Sequence, residues 1–326
     1  MMKISHAERI DTLTDKPVSP VQPEAPIADA LRTVARQQFI DLLKKEIETH
    51  HERNVLSISQ LATATHALSN SVKLLAPYLS DKSAARFEKR LAKLARRVEG
   101  VRMLDAIVRD LLVLGEASTD RRTISSLIAR LDAQRLVGKQ KLYTYLSSKK
   151  YRKFLDQFQL MLTQPLDDVV EADETARPYR LGHVRPVLLM QHLAWVRHCG
   201  TAKDALTAED CTRLYHHLNT VRNIVDDLCV QQDTTPEFIG QSQPLFDKLD
   251  DVVQITDRLT FLIHLPRINL ENEQITVMRT YRDDLRARRE TAIADIPALW
   301  QAFNRPPIYA QLAAAAISPN VDLTLQ

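Results

Sequence analysis

The sequence predicts an all-α protein: a duplicated helical bundle with two pseudo-symmetric halves of about four helices each. Three observations predict it. Only six glycines occur in 326 residues, far below the ~7% share of ordinary proteins. The turns, bulges and phosphate loops that β-rich and parallel α/β folds build from glycine are therefore scarce. Apolar residues make up 44% of the chain, and they recur at spacings of three, four and seven, as one helix face requires. The order and lengths of the helical segments also occur twice.

Residues 1–27 read as a disordered arm, because Pro17, Pro20, Pro23 and Pro26 interrupt any helix. From about residue 28 the pattern becomes helical. Segment 29–52 places Leu31, Val34, Leu42, Leu43 and Ile47 near one face. Segment 56–79 follows with Leu61, Leu68, Val72 and Leu75, and Pro77 with Ser80-Asp81 closes it. Segment 82–114 carries Phe87, Leu91, Leu94 and Val98 at i, i+4, i+7 and i+11. Segments 121–147 and 149–163 complete a first half over 28–163. An acidic, proline-bracketed linker is expected over 164–185. Helical pattern resumes at 186–203, 207–231, 236–265 and 270–303, with Thr207 and Asp210 in a capping arrangement. The second half thus spans 186–305, the whole domain 28–305, and 306–326 reads as a tail.

The halves match in register. Leu61, Leu68, Val72 and Leu75 recur 153 residues later as Leu214, Val221, Val225 and Leu228. Lys93-Leu94, Val98, Leu104 and Ile107 recur at an offset of 155 as Lys248-Leu249, Val253, Leu259 and Leu262.

Charge is unevenly spread. The net charge is +3, yet residues 30–163 hold 25 Lys/Arg against 13 Asp/Glu, whereas 164–326 hold 16 against 23. Such asymmetry suits a polyanion-binding half, or two halves that attract each other. The chain has neither G-x-x-x-x-G-K-[ST] nor G-x-G-x-x-G. Cys199, Cys211 and Cys229 are an odd number without C-x-x-C spacing, which argues against a disulfide framework and fits a reducing cytoplasm. The N-terminus carries acids and prolines, unlike a signal peptide. No run of ~18 uninterrupted apolar residues exists to span a membrane.

The run LAKLARRVEGVRMLDAIVRDL at 91–111 resembles the signature of the CHAD family, the conserved histidine α-helical domain. Leu91, Leu94, Ala95, Arg96, Arg97, Arg102, Leu104 and Asp105 match it, while Glu99 and Met103 depart from a Gly and an Asp. YLSSKKYRKFLDQFQLML at 145–162 is similar to the segment that closes the family's first half. Residues 206–228 and 248–259 look like its repeat, and 285–303, with Trp300, like its last helix. The resemblance covers roughly residues 29–305.

It implies binding of inorganic polyphosphate, or another phosphate polyanion, in a basic groove between helices, without catalysis. Arg86, Arg90, Lys93 and Arg97 lie at i, i+4, i+7 and i+11, a cationic row about 100° from the Phe87 stripe. Arg102, Lys73, Lys149, Lys150, Arg152, Arg213 and Arg222 are the other candidate ligands. Arg and Lys suit the task through charge-assisted hydrogen bonds and counterion release.

The chain also departs from the family. Ser59 and Thr212 stand where its histidines align. Ala62, His66, Ala67 and Ser69, then Tyr215, His217, Asn219 and Thr220, stand at typical cationic positions. A degenerate scaffold working through protein contacts at the acidic second half is the alternative, and non-specific nucleic-acid binding a weaker one. A lysine and arginine stripe is also the ordinary dress of a solvated helix face. Glu48-x-x-His51 lacks the second Glu-x-x-His that a di-iron pair needs, so no metal or cofactor is expected. Trp195, Trp300 and Tyr151 are expected to fill core or inter-helix space.

Overall fold

The computed structural model describes residues 5–15, 22–52, 55–118, 120–163, 179–201, 206–228, 235–265 and 270–316. Among them lie eleven α-helices, one short 3-10 turn at Ala76–Tyr78, and no strand beyond an isolated bridge between Pro26 and Arg180. The chain forms two compact units. The first holds α1 (His6–Thr14), α2 (Ile27–Glu52), α3 (Val55–Leu75), α4 (Asp81–Ala117), α5 (Arg121–Leu146) and α6 (Lys149–Thr163). The second holds the short segment before α2 and then α7 (Leu181–Thr201), α8 (Ala208–Leu228), α9 (Thr235–His264), α10 (Asn272–Phe303) and α11 (Pro306–Ala316).

In the first unit α2 packs on α3, α3 on α4 and α4 on α5, and α6 lies against α2 and α4. The periodicity explains this order, because each helix turns its apolar stripe inward. Phe39, Phe87, Phe154 and Phe158 meet at the centre, all buried. Phe39 and Phe158 stand edge-on at 4.9 Å, as do Phe87 and Phe158 at 5.1 Å, the arrangement that ring quadrupoles favour.

The second unit repeats the plan. α7 packs on α8, α8 on α9, α9 on α10, and α11 rests on α7 and α9. α11 therefore holds the place that α6 holds in the first unit, and the duplicated helical module includes this fifth helix. The α3 and α8 registers agree: Leu61, Leu68, Val72 and Leu75 are buried, as are Leu214, Val221, Val225 and Leu228. In α9 the match is partial. Leu249 and Leu259 are buried, whereas Val253 and Leu262 are half-buried and Val252 turns inward instead.

Three boundaries differ from expectation. The arm expected to be disordered contains α1. Ser5 and Glu8 form a capping box, with Glu8 N–H donating to Ser5 Oγ at 3.2 Å and Ser5 N–H to Glu8 Oε2 at 2.6 Å. Leu13 and Arg9 are buried against α2 and α6, and Arg9 donates to Gln159 Oε1 at 2.8 Å and pairs with Asp156. The expected tail contains α11, which buries Ile308 and Leu312; Pro306 and Pro307 open the helix, where a missing N–H costs nothing. α7 begins at Leu181 rather than 186 and runs through Pro186. Its first orphan donors are met by the preceding segment, Leu181 N–H to Ala25 O at 2.9 Å and Gly182 N–H to Pro23 O at 2.8 Å. A Cβ at Gly182 would come within 3.2 Å of that Pro23 oxygen. The rest of the expected linker, 164–178, lies outside the described residues. No helix among the described residues is long and apolar enough to cross a membrane.

Candidate functional site

The α4 row meets the end of α5 and the start of α6. Tyr145 stands in the last turn of α5, buried, with its ring 5.2 Å from that of Tyr151 on α6. Two cations lie over the Tyr145 ring: Lys93 Nζ at 5.3 Å and Arg97 Cζ at 5.0 Å. Tyr145 O–H donates to the Arg90 carbonyl at 3.5 Å. Burial raises the Tyr145 hydroxyl's pKa, and the positive charges of Arg90 and Arg97 pull it back. Arg97 also donates to the carbonyl of Lys141 at 3.4 Å, and Arg152 to that of Ser147 at 3.1 Å. Arg86 rests over Phe87 at 5.2 Å and donates to Ser83 Oγ at 3.4 Å.

What these partners share is neutrality. Among the described residues, the side chains of Arg86, Lys93, Arg97 and Arg152 contact ring faces, a hydroxyl and carbonyls, Arg90 meets Tyr145 through its backbone carbonyl and its charge, and none of the five pairs with a carboxylate. Glu88 stays exposed on the same helix without bridging to them. These five cations therefore make no ion pair among the described residues. Lys149 and Lys150 are exposed in the first turn of α6, beside backbone N–H groups that carry the positive end of the helix dipole.

Behind this patch lies a buried polar chain. Tyr151 O–H donates to Glu46 Oε2 at 2.8 Å, and His6 Nε2 lies 2.9 Å from Glu46 Oε1. Burial, and then the Glu46 charge, push the Tyr151 hydroxyl well above its usual range. The chain fastens α1 and α6 to α2. Tyr151 is thus a core residue, as expected, but it is also the rear support of the patch.

Four candidates are held elsewhere. Arg102 forks onto Glu99, with Nε to Oε1 at 2.9 Å and to Oε2 at 3.0 Å. It stands nine residues from Lys93, about 180° around the helix, and so faces away from Tyr145. His66 Nε2 lies 3.9 Å from the same carboxylate. Burial would raise the Glu99 pKa, but the nearby His66 imidazole and the hydrogen bonds and charge of Arg102 outweigh it and bring it to about 2. Glu99, one of the departures from the family pattern, is the residue that neutralises Arg102. Arg213 pairs with Asp210 at 3.1 Å and Glu209 at 3.6 Å. Arg222 ties α8 to α9, donating to Ser242 Oγ at 2.8 Å, Ile239 O at 3.2 Å and Gln243 Oε1 at 2.6 Å, with Phe246 under its guanidinium at 4.4 Å. Lys73 is exposed on α3, away from the Tyr145 cluster's contacts. Asp105, a residue of the matched run, is buried and takes Arg135 at 2.8 Å, joining α4 to α5.

Sequence reasoning missed the organising role of Tyr145, although it opens the quoted run at 145–162. Trp195, expected in core or inter-helix space, lies between α7 and α8 rather than in the core. The indole is 49% exposed and stacks on His217.

Comparison with known proteins agrees with this architecture. No curated protein matches the chain. The crystal structure of the CHAD domain from the plant Ricinus communis is similar, with a TM-score of 0.69 at 12% identity, covering 87% of this chain and 95% of that one. PptA from Streptomyces chartreusis is similar with a TM-score of 0.58 at 15% identity, covering 85% of this chain and all of that one. At such identities the likeness shows the fold alone. The family model for the CHAD domain matches residues 33–225, more than half of the sequence, and the chain belongs to the CHAD domain family.

Proposed function

We propose that this protein binds inorganic polyphosphate, or a phosphate polyanion of the same charge density, through the first unit, and that it does so without turnover. The observation that carries the reading is the convergence of Arg90, Lys93 and Arg97 at Tyr145, with Arg152 on the following turn, all free of carboxylates. Family members bind polyphosphate, and these cations offer what such a ligand needs. Guanidinium groups held by carbonyls exchange a neutral acceptor for a charged one when phosphate arrives, and charge-assisted bonds are roughly twice as strong. Arg213 and Arg222 of the second unit are left out of the site, because Arg213 pairs with two carboxylates and Arg222 is committed to three hydrogen bonds between α8 and α9.

Equilibrium titration of labelled medium-chain polyphosphate at low salt tests it. The variant Arg90→Ala/Lys93→Ala/Arg97→Ala/Arg152→Ala is expected to lose binding while keeping its helical circular dichroism. Unchanged affinity in that variant overturns the reading. Duplex DNA that displaces polyphosphate with equal affinity would make the site a general polyanion surface, and phosphate release from triphosphate or polyphosphate would make it an enzyme. A second reading, a scaffold working through protein contacts, draws on the satisfied arginines and net acidity of the second half. It gains if polyphosphate fails to bind and charge reversal within 206–258 abolishes capture of a cellular protein.

A further inference from the structure

The second unit holds a cluster that the anion reading leaves unused. His192 and Trp195 on α7 face His217 on α8. The two Nδ1 atoms, of His192 and His217, stand 3.4 Å apart, with ring centroids at 5.7 Å. The Trp195 indole lies flat on the His217 ring, 5.5 Å away and 6° from parallel. His198 meets its edge at 5.8 Å.

Two neutral imidazoles share a hydrogen bond only when one carries its proton on Nδ1 and the other on Nε2. At 3.4 Å that bond is longer than the ~2.7–3.2 Å of a good one, so it stabilises the pair little. With both protons on Nε2, two lone pairs face one space instead. A tetrahedral ion with bonds to nitrogen of ~2.0–2.1 Å needs its ligand atoms about 3.3–3.4 Å apart, which is the separation found.

We infer that His192 and His217 form a two-histidine chelate for a divalent transition metal ion, Zn2+ or Cu2+. No third His, Cys, Asp or Glu joins them as a ligand group among the described residues, so the other positions of the shell fall to water or an outside ligand. Cu2+ binds more tightly than Zn2+, in the usual order for nitrogen sites. The partial exposure of Trp195 gives the pair an entry path. This site lies within the second unit and is independent of the phosphate reading.

Trp195, stacked on one ligand, is a built-in reporter, and Trp300, the other tryptophan, is buried. The full chain is titrated with CuCl2 while tryptophan fluorescence is read, and with ZnCl2 by calorimetry. One saturable transition at a stoichiometry of one is expected, and it is lost in His192→Ala and in His217→Ala. Trp195→Phe should abolish the optical change and keep the calorimetric one. Wild-type binding in either histidine variant, or loss through His198→Ala or His216→Ala alone, overturns the inference. If an alanine variant loses helical structure, His192→Phe, which retains a ring, takes its place, and binding retained there overturns the inference equally.

Discussion

Glu99→Gln removes the carboxylate that holds Arg102 and His66 at the α3–α4 contact. The side chains of Glu99 and Arg102 are 25% and 23% exposed, so solvent screens their attraction only in part. The Glu99 pKa is lowered from 4.5 to about 2. At ~1.4 kcal/mol per unit, that depression corresponds to order 3 kcal/mol of stability in the first unit. Because the folded pKa is the depressed one, this contribution is fully present above the ordinary value of 4.5 and is lost as pH falls from there toward 2. Glu99→Gln should therefore destabilise the protein at neutral pH and flatten its acid sensitivity over that window. It should leave polyphosphate affinity unchanged, since Arg102 faces away from Tyr145. Carboxyl-carbon NMR titration reads Glu99 directly, and paired urea melts at neutral and acidic pH read the linkage. A wild-type Glu99 that titrates near its ordinary value refutes the reasoning, as does a variant with undiminished acid sensitivity.

Arg222→Ala leaves Ser242 and Gln243 without their charged donor between α8 and α9. It should cost about 2–3 kcal/mol in tryptophan-monitored denaturation, both tryptophans being in the second unit, without weakening polyphosphate binding. Leu312→Ala, at a fully buried position of α11, should cost about 2–5 kcal/mol in the same assay; a negligible effect contradicts the five-helix module. Tyr151→Phe deprives the buried Glu46 of a donor and should cost about 1–3 kcal/mol, with faster amide exchange in α1. Unchanged exchange there contradicts the fastening of α1 through Glu46.

The helices from α2 to α10 were legible because periodicity reports burial directly: Phe87, Leu91, Leu94 and Val98 are all buried, as their spacing requires. α1 was hidden by the prolines that follow it, although none precedes Pro17 and Ser5 with Glu8 already spelled a capping box. α11 was hidden because Pro306-Pro307 reads as a break when it stands at a helix start. The cationic row was legible as a spacing, but its significance depends on partners that sequence does not show. Arg97 and Arg222 look alike in one dimension. In three, Arg97 makes one long bond of 3.4 Å to a carbonyl beside a ring, whereas Arg222 makes three hydrogen bonds, two of them to the side chains of Ser242 and Gln243. Glu99 with Arg102 could have been read as an i,i+3 pair. The meeting of Trp195, His192 and His217 could not, because it depends on how α7 rotates against α8.

The salt dependence of polyphosphate binding tests the central claim most directly. If the four proposed cations hold a single-stranded polyanion, the slope of log Kobs against log salt is near −3, about a 50-fold loss between 50 and 200 mM. The Arg90/Lys93/Arg97/Arg152 alanine variant should bring that slope toward zero. A flat wild-type slope, or a steep one that survives the four substitutions, contradicts the claim that these side chains hold the ligand.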